Sequence, residues 1–148
     1  MEISAASCLN QRMVKAMLYA DGGSRGNPGP AAYGAVLFDV DGETLREVSE
    51  FLGIATNNVA EWSGLIAGLE AALELGVDEI EVRLDSELVV RQLSGAYRVK
   101  QPHLIPLHAK AKSLLRRFPH SHVAHVRREL NKEADKLVNQ VLDAHAGK

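Results

Sequence analysis

The chain has 148 residues, of which 46% are hydrophobic and 24% are charged, and its formal net charge is −2. A chain of this length buries enough apolar surface to fold without disulfides or structural metals. Its one cysteine, Cys8, excludes an internal disulfide. No apolar run approaches the roughly 20 residues of a membrane-spanning helix. We therefore expect a cytoplasmic protein that makes no membrane contact, and we expect a monomer.

The first 13 residues differ in character from the rest of the chain. Their sequence, MEISAASCLNQRM, lacks the basic and apolar regions of a signal peptide. We expect residues 1–13 to be either a disordered leader or an upstream extension, with Met13 as a second start. No linker or repeat follows, so residues 14–148 are predicted to form a single domain.

Three strands are predicted in the first third of the chain. The first spans Lys15 to Asp21 and leads into the segment GGSRGNPGP, whose Gly and Pro residues are expected to prevent regular structure. The second spans Ala31 to Phe38, a hairpin turn covers Asp39 to Gly42, and the third strand spans Leu45 to Gly53. Together they predict an antiparallel start to a sheet.

The hydrophobic period then becomes that of a helix. Apolar residues recur at three- and four-residue spacing from Val59 to Leu73, with Asn57 or Asn58 as the predicted N-cap and Gly76 as the stop. This pattern predicts a long amphipathic helix.

Strands and helices alternate in the second half. A fourth strand is predicted from Glu79 to Asp85, and a short helix capped by Ser86 follows and ends at Leu93. A further helix is predicted from His103 to Arg117. A weak fifth strand then spans Ser121 to Val126, and a last helix begins near Asn131. A hairpin meander followed by alternating units indicates the α/β class, a mixed sheet with helices on its faces.

Four carboxylates occupy positions where a site could form. Asp21 and Asp85 end predicted strands, and Glu61 and Asp135 lie in the first turns of predicted helices. Taken singly, each has a structural interpretation, and for Glu61 and Asp135 it is routine, since acids are favoured near helix N-termini. If the four converge, they repel one another unless divalent cations neutralise them. Mg²⁺ prefers such oxygens, Mn²⁺ is a possible substitute, and a pair of ions about 3.5–4 Å apart suits phosphodiester displacement.

Basic residues are concentrated between Glu87 and Glu129, where the chain has no acidic residue. The Lys and Arg residues of this stretch are Arg91, Arg98, Lys100, Lys110, Lys112, Arg116, Arg117, Arg127 and Arg128. Such asymmetry is typical of one face for a polyanion, although a solvated basic helix without a ligand would show it too.

Four segments resemble those of type 1 ribonucleases H, and they occur in the family order. YADGGSRGNPGPAAYGAVLF is similar to the first hairpin, ATNNVAEWSGLIAGLEAAL to the start of the long helix, RLDSELVVRQLSG to the Asp-Ser segment, and NKEADKLVNQ to the Asn-x-x-x-Asp helix. The resemblance extends from Lys15 to Leu142. It implies a ribonuclease H-like fold, with a five-stranded mixed sheet, its first three strands antiparallel, and helices on both faces.

The resemblance also implies an activity and a metal centre. The expected reaction is cleavage of the RNA strand of an RNA–DNA hybrid by two-metal-ion hydrolysis that leaves 5′-phosphates. Asp21 is expected to bridge both ions, Glu61 and Asp85 to hold the ion on the leaving-group side, and Asp135 to hold the ion that activates water.

Seven further residues are implied as substrate contacts. They are Gly22, Gly23, Asn27, Thr56, Asn57, Asn58 and Asn131. The two glycines would offer backbone amides, the asparagines at 27, 57 and 58 would meet base edges and 2′-hydroxyls, Thr56 would bind a DNA phosphate, and Asn131 would orient substrate or water. Turn and cap chemistry could explain Asn27 and Asn57 without any ligand.

Two features depart from the family pattern. RREL, between Val126 and Asn131, is too short for the flexible loop that carries a catalytic histidine in many members, and His125 is expected inside a strand. Arg128 or Glu129 is hypothesised to promote product release instead. SGAYRVKQPH is far shorter than the family's basic protrusion. Both departures match a shorter subgroup that includes enzymes acting on double-stranded RNA.

Two other functions remain open at this point. A nuclease of the same fold could act on another nucleic acid, including double-stranded RNA, because fold does not determine substrate. A catalytically silent nucleic-acid-binding module is the second alternative. Such modules usually lose a carboxylate, whereas all four positions are filled here.

Overall fold

The structure is a computed structural model that describes residues 14–146. Its elements in chain order are β1 (Lys15–Ser24), β2 (Gly29–Phe38), β3 (Thr44–Ala55), α1 (Asn57–Glu74), β4 (Glu79–Leu84), α2 (Glu87–Ser94), α3 (Ile105–Leu115), β5 (His120–His125), a 3₁₀ helix (Arg128–Leu130) and α4 (Lys132–Ala146). The predictions about residues 1–13 lie outside the described residues.

The five strands form one mixed sheet in the order β3-β2-β1-β4-β5. β1, β2 and β3 are antiparallel neighbours, and β4 pairs in parallel with both β1 and β5. This arrangement confirms the predicted α/β class and the antiparallel start.

β1 is longer than its predicted range. The strand continues through Gly22, Gly23 and Ser24, which pair with Tyr33, Ala32 and Ala31 of β2. The prediction that the glycine-rich segment forbids regular structure was therefore wrong for its first three residues, and also for Gly29 and Pro30, which begin β2. Glycine weakens a strand but does not remove its N–H and C=O groups, so a neighbouring strand can still satisfy them.

The N-cap of α1 also differs from the prediction. The cap is Thr56, whose backbone is extended and whose hydroxyl accepts a hydrogen bond from the Val59 N–H at 3.2 Å. Asn57, one of the two predicted caps, is already helical and its side chain is bonded elsewhere. The helix ends at Glu74, and Gly76 follows with a positive φ of 77°, as expected of a stop.

The remaining elements lie close to their predicted ranges. Ser86 caps α2 by accepting from the Val89 N–H. α3 begins two residues later and ends two residues earlier than predicted, and Pro106 lies in its first turn, where proline is favoured. β5 begins one residue earlier, and α4 begins directly after Asn131.

Helices cover both faces of the sheet. α1 packs on β1 and β2 over the main core, which includes Leu18, Trp62, Leu65 and Leu69, all fully buried. α4 packs on the opposite face over a small cluster around Ala32 and Val138. Together the two helices lie over the sheet next to the ends of β1 and β4. None of the helices within residues 14–146 is long and apolar enough to cross a membrane.

Candidate active site at the ends of the central strands

Parallel pairing brings the first two carboxylates together. Ala20 of β1 is the register partner of Leu84 of β4. The next residue in each case is an aspartate, so Asp21 and Asp85 lie side by side. Carboxyl ends of neighbouring parallel strands meet at one edge of a sheet. Asp21 is still part of β1, where it pairs with Gly34, whereas Asp85 comes directly after β4.

The third carboxylate is supplied by the first turn of α1. That turn rests directly on β1, because a Cβ added to Gly22 would lie 2.2 Å from the Ala60 carbonyl carbon. Glycine is therefore required at position 22 for α1 to approach. As a result, carboxylate oxygens of Asp21, Glu61 and Asp85 all lie within 4.8 Å of one another.

Asp135 borders the same cleft from the first turn of α4. It is close enough to hydrogen-bond to the Asp21 carboxyl group, although it is not part of the tight group of three. α4 lies close to the sheet here because Gly34 has no side chain; a Cβ at that position would lie 2.7 Å from the Ala134 carbonyl oxygen. All four predicted carboxylates thus line one cleft.

The electrostatics of Asp21 reflect this crowding. Burial and, to a smaller extent, the charges of Asp85 and Asp135 together raise the pKa of Asp21 to about 8, although the hydrogen bond from the Gly22 N–H opposes the increase. The ionised form of Asp21 is therefore disfavoured in the protein without a bound cation.

Glu61 is affected in the same direction. Burial and the charge of Asp85 raise the pKa of Glu61 to about 7, against the opposing effects of a hydrogen bond from Ser86 and the nearby charge of Arg128. Crowded carboxylates with raised pKa values are a donor set that fits hard divalent cations, since such an ion removes the repulsion and prefers oxygen ligands.

Asn131 lies beneath the carboxylates and does not face the cleft. It is fully buried, and its Nδ2 donates to the Ala20 carbonyl oxygen at 3.0 Å and to Asp85 Oδ2 at 3.2 Å. Asn131 therefore contacts Asp85 and does not line the cleft in this structure, and its expected role in orienting substrate or water stays a prediction. An asparagine is compatible in sequence with either a substrate contact or support of a neighbouring carboxylate, and its burial here favours the second role.

Asn27 and Asn57 join the turn after β1 to the start of α1. Asn57 Oδ1 accepts from the Ser24 N–H at 2.7 Å, and Asn27 Oδ1 accepts from the Asn57 N–H at 2.9 Å. Asn27 and Asn57 therefore do stabilise the local turn and helix start, as the structural interpretation of these residues predicted. Their carbonyl oxygens are engaged, and neither Nδ2 group has a hydrogen-bond partner among residues 14–146, so each side chain retains two donors.

Two other predicted contacts lie beside these asparagines. Asn58 lines the cleft and also an adjacent groove that includes Tyr97, Arg98 and Lys100. Gly23 lines the cleft too, and a Cβ there would make only an ordinary contact, 3.7 Å from Val138 Cγ1. Gly23 is thus not required by packing in the way that Gly22 is.

Sequence reasoning missed two residues of the cleft. Arg25 reaches from the turn after β1 to α4, and Asn139 donates from Nδ2 to Asp135 Oδ2 at 3.3 Å. Asn139 could have been identified from the sequence, because it lies four residues after Asp135 on one helix and therefore on the same face.

The fold and the cleft define the class of protein. The chain belongs to the type 1 ribonuclease H family: the family model described as reverse transcriptase-like matches residues 19–141. Within residues 14–146, its five-stranded mixed sheet and four α-helices match the solved ribonuclease H structures to which it is similar.

Particular relatives are similar over most of the chain. A bifunctional protein of Mycobacterium tuberculosis is 49% identical over 134 residues, 90% of this chain but 37% of the relative. Its N-terminal RNase H domain, solved as a fusion with maltose-binding protein, has a TM-score of 0.88 and 49% identity, covering 90% of this chain and 97% of that one. This chain therefore spans little more than a third of the full-length mycobacterial relative.

Two further comparisons concern proteins named as ribonucleases. Ribonuclease HI of Halobacterium salinarum is 49% identical over 125 residues, which is 84% of this chain and 63% of the relative. LC11-RNase H1, solved in complex with an RNA/DNA hybrid, has a TM-score of 0.83 and 45% identity, covering 88% of this chain and 99% of that chain.

Proposed function

We propose that this chain is an endoribonuclease that cleaves the RNA strand of RNA–DNA hybrids with the help of two divalent cations. The observation that carries the proposal is the convergence of Asp21, Glu61 and Asp85, bordered by Asp135, at one end of a ribonuclease H-like sheet. Relatives named ribonuclease HI, and a neighbour solved with a hybrid, support the substrate class.

The four carboxylates are the proposed ligands. Asp21 suits a bridging role, because it lies within the group formed with Glu61 and Asp85 and also contacts Asp135. Mg²⁺ is the expected ion and Mn²⁺ a substitute, on the chemistry of the donor atoms. When bound, such a pair of ions supplies an activated water and charge stabilisation of the leaving oxygen.

The supporting residues keep the carboxylates in place. Asn131 donates to Asp85 from below, Asn139 donates to Asp135, and Ser86 hydrogen-bonds to Glu61. Held carboxylates need little reorganisation when a cation and substrate arrive, and this preorganisation is what a catalytic site requires.

Recognition of RNA is assigned to the asparagines. With their carbonyl oxygens engaged by the backbone, Asn27 and Asn57 can offer amide donors to base-edge acceptors and to 2′-hydroxyl oxygens. We propose that Thr56 meets a phosphate of the DNA strand and that Asn58 lies between the two strands. The neighbouring Arg98 and Lys100 supply positive charge where the DNA strand would leave the cleft.

Arg128 is the proposed replacement for the missing catalytic-loop histidine. It lines the cleft and its charge acts on Glu61, whereas Glu129 lines a separate hollow with Met17 and Tyr19. We therefore expect Arg128→Ala to lower turnover and Glu129→Ala to serve as its control. Full turnover in Arg128→Ala would exclude the role.

The decisive experiment is a strand-resolved cleavage assay. A labelled RNA–DNA hybrid, duplex RNA and duplex DNA are incubated with the protein in Mg²⁺ and then in Mn²⁺, with Asp21→Asn in parallel. Cleavage confined to the RNA strand of the hybrid, and absent in the variant, is the expected result. Preference for duplex RNA would indicate the other nuclease substrate, and binding without cleavage in either metal would indicate a silent binding module.

A further inference from the structure

Arg25 lies at the rim of the candidate active site, in the turn between β1 and β2. Its N–H donates to the Pro30 carbonyl oxygen at 2.8 Å, which closes the turn. Its guanidinium reaches α4, where Nη2 donates to Asp143 Oδ1 at 2.7 Å and to Asn139 Oδ1 at 3.4 Å. Arg25 and Asn139 both line the cleft that contains the carboxylates.

The ion pair between Arg25 and Asp143 is exposed, so another anion can replace Asp143. The two side chains are 43% and 71% exposed, and exposed ion pairs contribute little to stability. A guanidinium has five N–H donors. Only Nη2 is engaged by side chains within residues 14–146, which leaves the Nη1 and Nε donors of Arg25 for a ligand.

Charge in the cleft points to the kind of ligand. Among the described residues that line it, Arg25 and Arg128 carry the only positive charges, and Arg128 acts on Glu61. Arg25 lies instead on the α4 side of the cleft. The side-chain amide of Asn139 connects it to Asp135, since that amide accepts a hydrogen bond from Arg25 and donates one to Asp135. A polynucleotide strand that runs along this rim with one phosphate at the carboxylates would bring a neighbouring phosphate to Arg25.

We propose that Arg25 binds a phosphate of the strand that occupies the cleft, adjacent to the phosphate that is cleaved, and that Asp143 holds the guanidinium until the strand displaces it. The inference rests on the proposed function. The planar fork of a guanidinium matches a phosphate bidentately and forms stronger hydrogen bonds to it than a neutral donor would. Asp143 is then a competing anion that weakens substrate binding.

The test measures hybrid binding as a function of salt. Each substitution is made in the Asp21→Asn background with Mg²⁺ present, and fluorescence anisotropy reports the Kd of a short RNA–DNA hybrid. Arg25→Ala should weaken binding about tenfold and lower the slope of log K against log salt by about 0.9. Asp143→Asn should strengthen binding at an unchanged slope. Arg25→Lys should retain the slope with intermediate affinity, because the charge stays and the fork is lost.

A merely structural role for the ion pair predicts a different pattern. Arg25→Ala and Asp143→Asn would then break the same contact and change binding in the same direction, and the salt slope would stay constant; either result overturns the inference. Thermal melts of each variant verify folding. In the cleaving enzyme, Arg25→Ala should raise KM more than it lowers kcat, since the contact exists before the chemical step.

The matched control is the ion pair of Arg46 and Glu74. It has the same exposed character, with Arg46 Nη1 at 2.6 Å from Glu74 Oε1 and side chains 37% and 68% exposed. Glu74 ends α1, whereas Glu61 lies in its first turn, so this pair is remote from the cleft and Arg46→Ala should leave the slope unchanged. Absence of both hybrid cleavage by the wild type and hybrid binding would refute the proposed function; cleavage with an unchanged slope in Arg25→Ala would refute this inference alone.

Discussion

Asp21 couples the stability of the folded chain to pH. Burial and neighbouring carboxylates raise its pKa from 3.8 to about 8, and they raise that of Glu61 from 4.5 to about 7. A carboxyl group with a raised pKa binds its proton more tightly in the folded state than in the unfolded chain. Its contribution to stability is complete below about pH 4 and is lost as pH rises through the folded pKa.

Replacement of Asp21 by Asn should remove much of this pH dependence. In metal-free buffer the free energy of unfolding of the wild type should decrease between pH 4 and pH 8, by at most about 1.4 kcal/mol per pH unit for each group. Asp21→Asn should show a flatter profile and equal or greater stability at pH 8, because one charge of the cluster is gone. Urea unfolding at a series of pH values measures this, and identical profiles for the two proteins would contradict it.

Asn131 supports the site from within the core. Its side chain links the Ala20 carbonyl oxygen to Asp85, and a buried carbonyl left without its donor costs about 1–3 kcal/mol. We expect Asn131→Ala to lower the free energy of unfolding by about that amount and to lower turnover as well. Urea denaturation measures the first effect. Asn58→Ala, at a half-buried side chain of the rim, is the control and should change stability by less than about 0.5 kcal/mol.

At the scale of elements, the contact between α1 and β1 determines where Glu61 lies. The first turn of the helix rests on the backbone of Gly22, and Gly64 one turn later rests on Asp21, where a Cβ would lie 2.7 Å from the carbonyl oxygen. Both close approaches involve backbone atoms, which cannot move aside without displacing a whole element. The distance from Glu61 to Asp21 is thus controlled by packing of small residues.

Substitutions at the two neighbouring glycines should separate this contact from ordinary strand effects. Gly22→Ala should destabilise the protein by about 1–3 kcal/mol, because the new methyl group meets the α1 backbone and the helix must shift. Gly23→Ala should be nearly neutral, since its Cβ would make a van der Waals contact with Val138. Denaturant midpoints of the two variants test the contrast, and equal destabilisation would show that the α1 contact is not limiting.

At the scale of the whole molecule, the site joins parts that are distant along the chain. Its carboxylates come from β1, α1, the end of β4 and α4, so a bound cation would tie the antiparallel and parallel halves of the sheet together. Binding to the folded state alone shifts the unfolding equilibrium, because the unfolded chain lacks the assembled site.

Divalent cations should therefore raise the melting temperature of the wild type. At a concentration one hundred times the Kd, Mg²⁺ or Mn²⁺ should add about 2.7 kcal/mol to the free energy of unfolding. The increase should be much smaller in Asp21→Asn, which lacks the proposed bridging ligand. Differential scanning calorimetry with and without each metal measures it, and an equal increase in both proteins would place the cations outside the carboxylate cluster.

The sequence by itself determined the order and type of the elements, because hydrophobic period, caps and turn residues act between near neighbours along the chain. Strand alternation at Ile80, Val82 and Leu84 and the helical spacing from Val59 to Leu73 both proved correct. The motifs also pointed to the four carboxylates and to the family.

Tertiary structure alone decided which polar side chains support the carboxylates from below and which line the cleft. Asn131 bonds to Ala20, 111 residues away, and Arg25 bonds to Asp143, 118 residues away. The strand state of Gly22 likewise depends on pairing with β2. Burial and hydrogen-bond partners at such separations follow from how complete elements pack, and asparagine, arginine or glycine suits several environments equally well when only its neighbours in sequence are known.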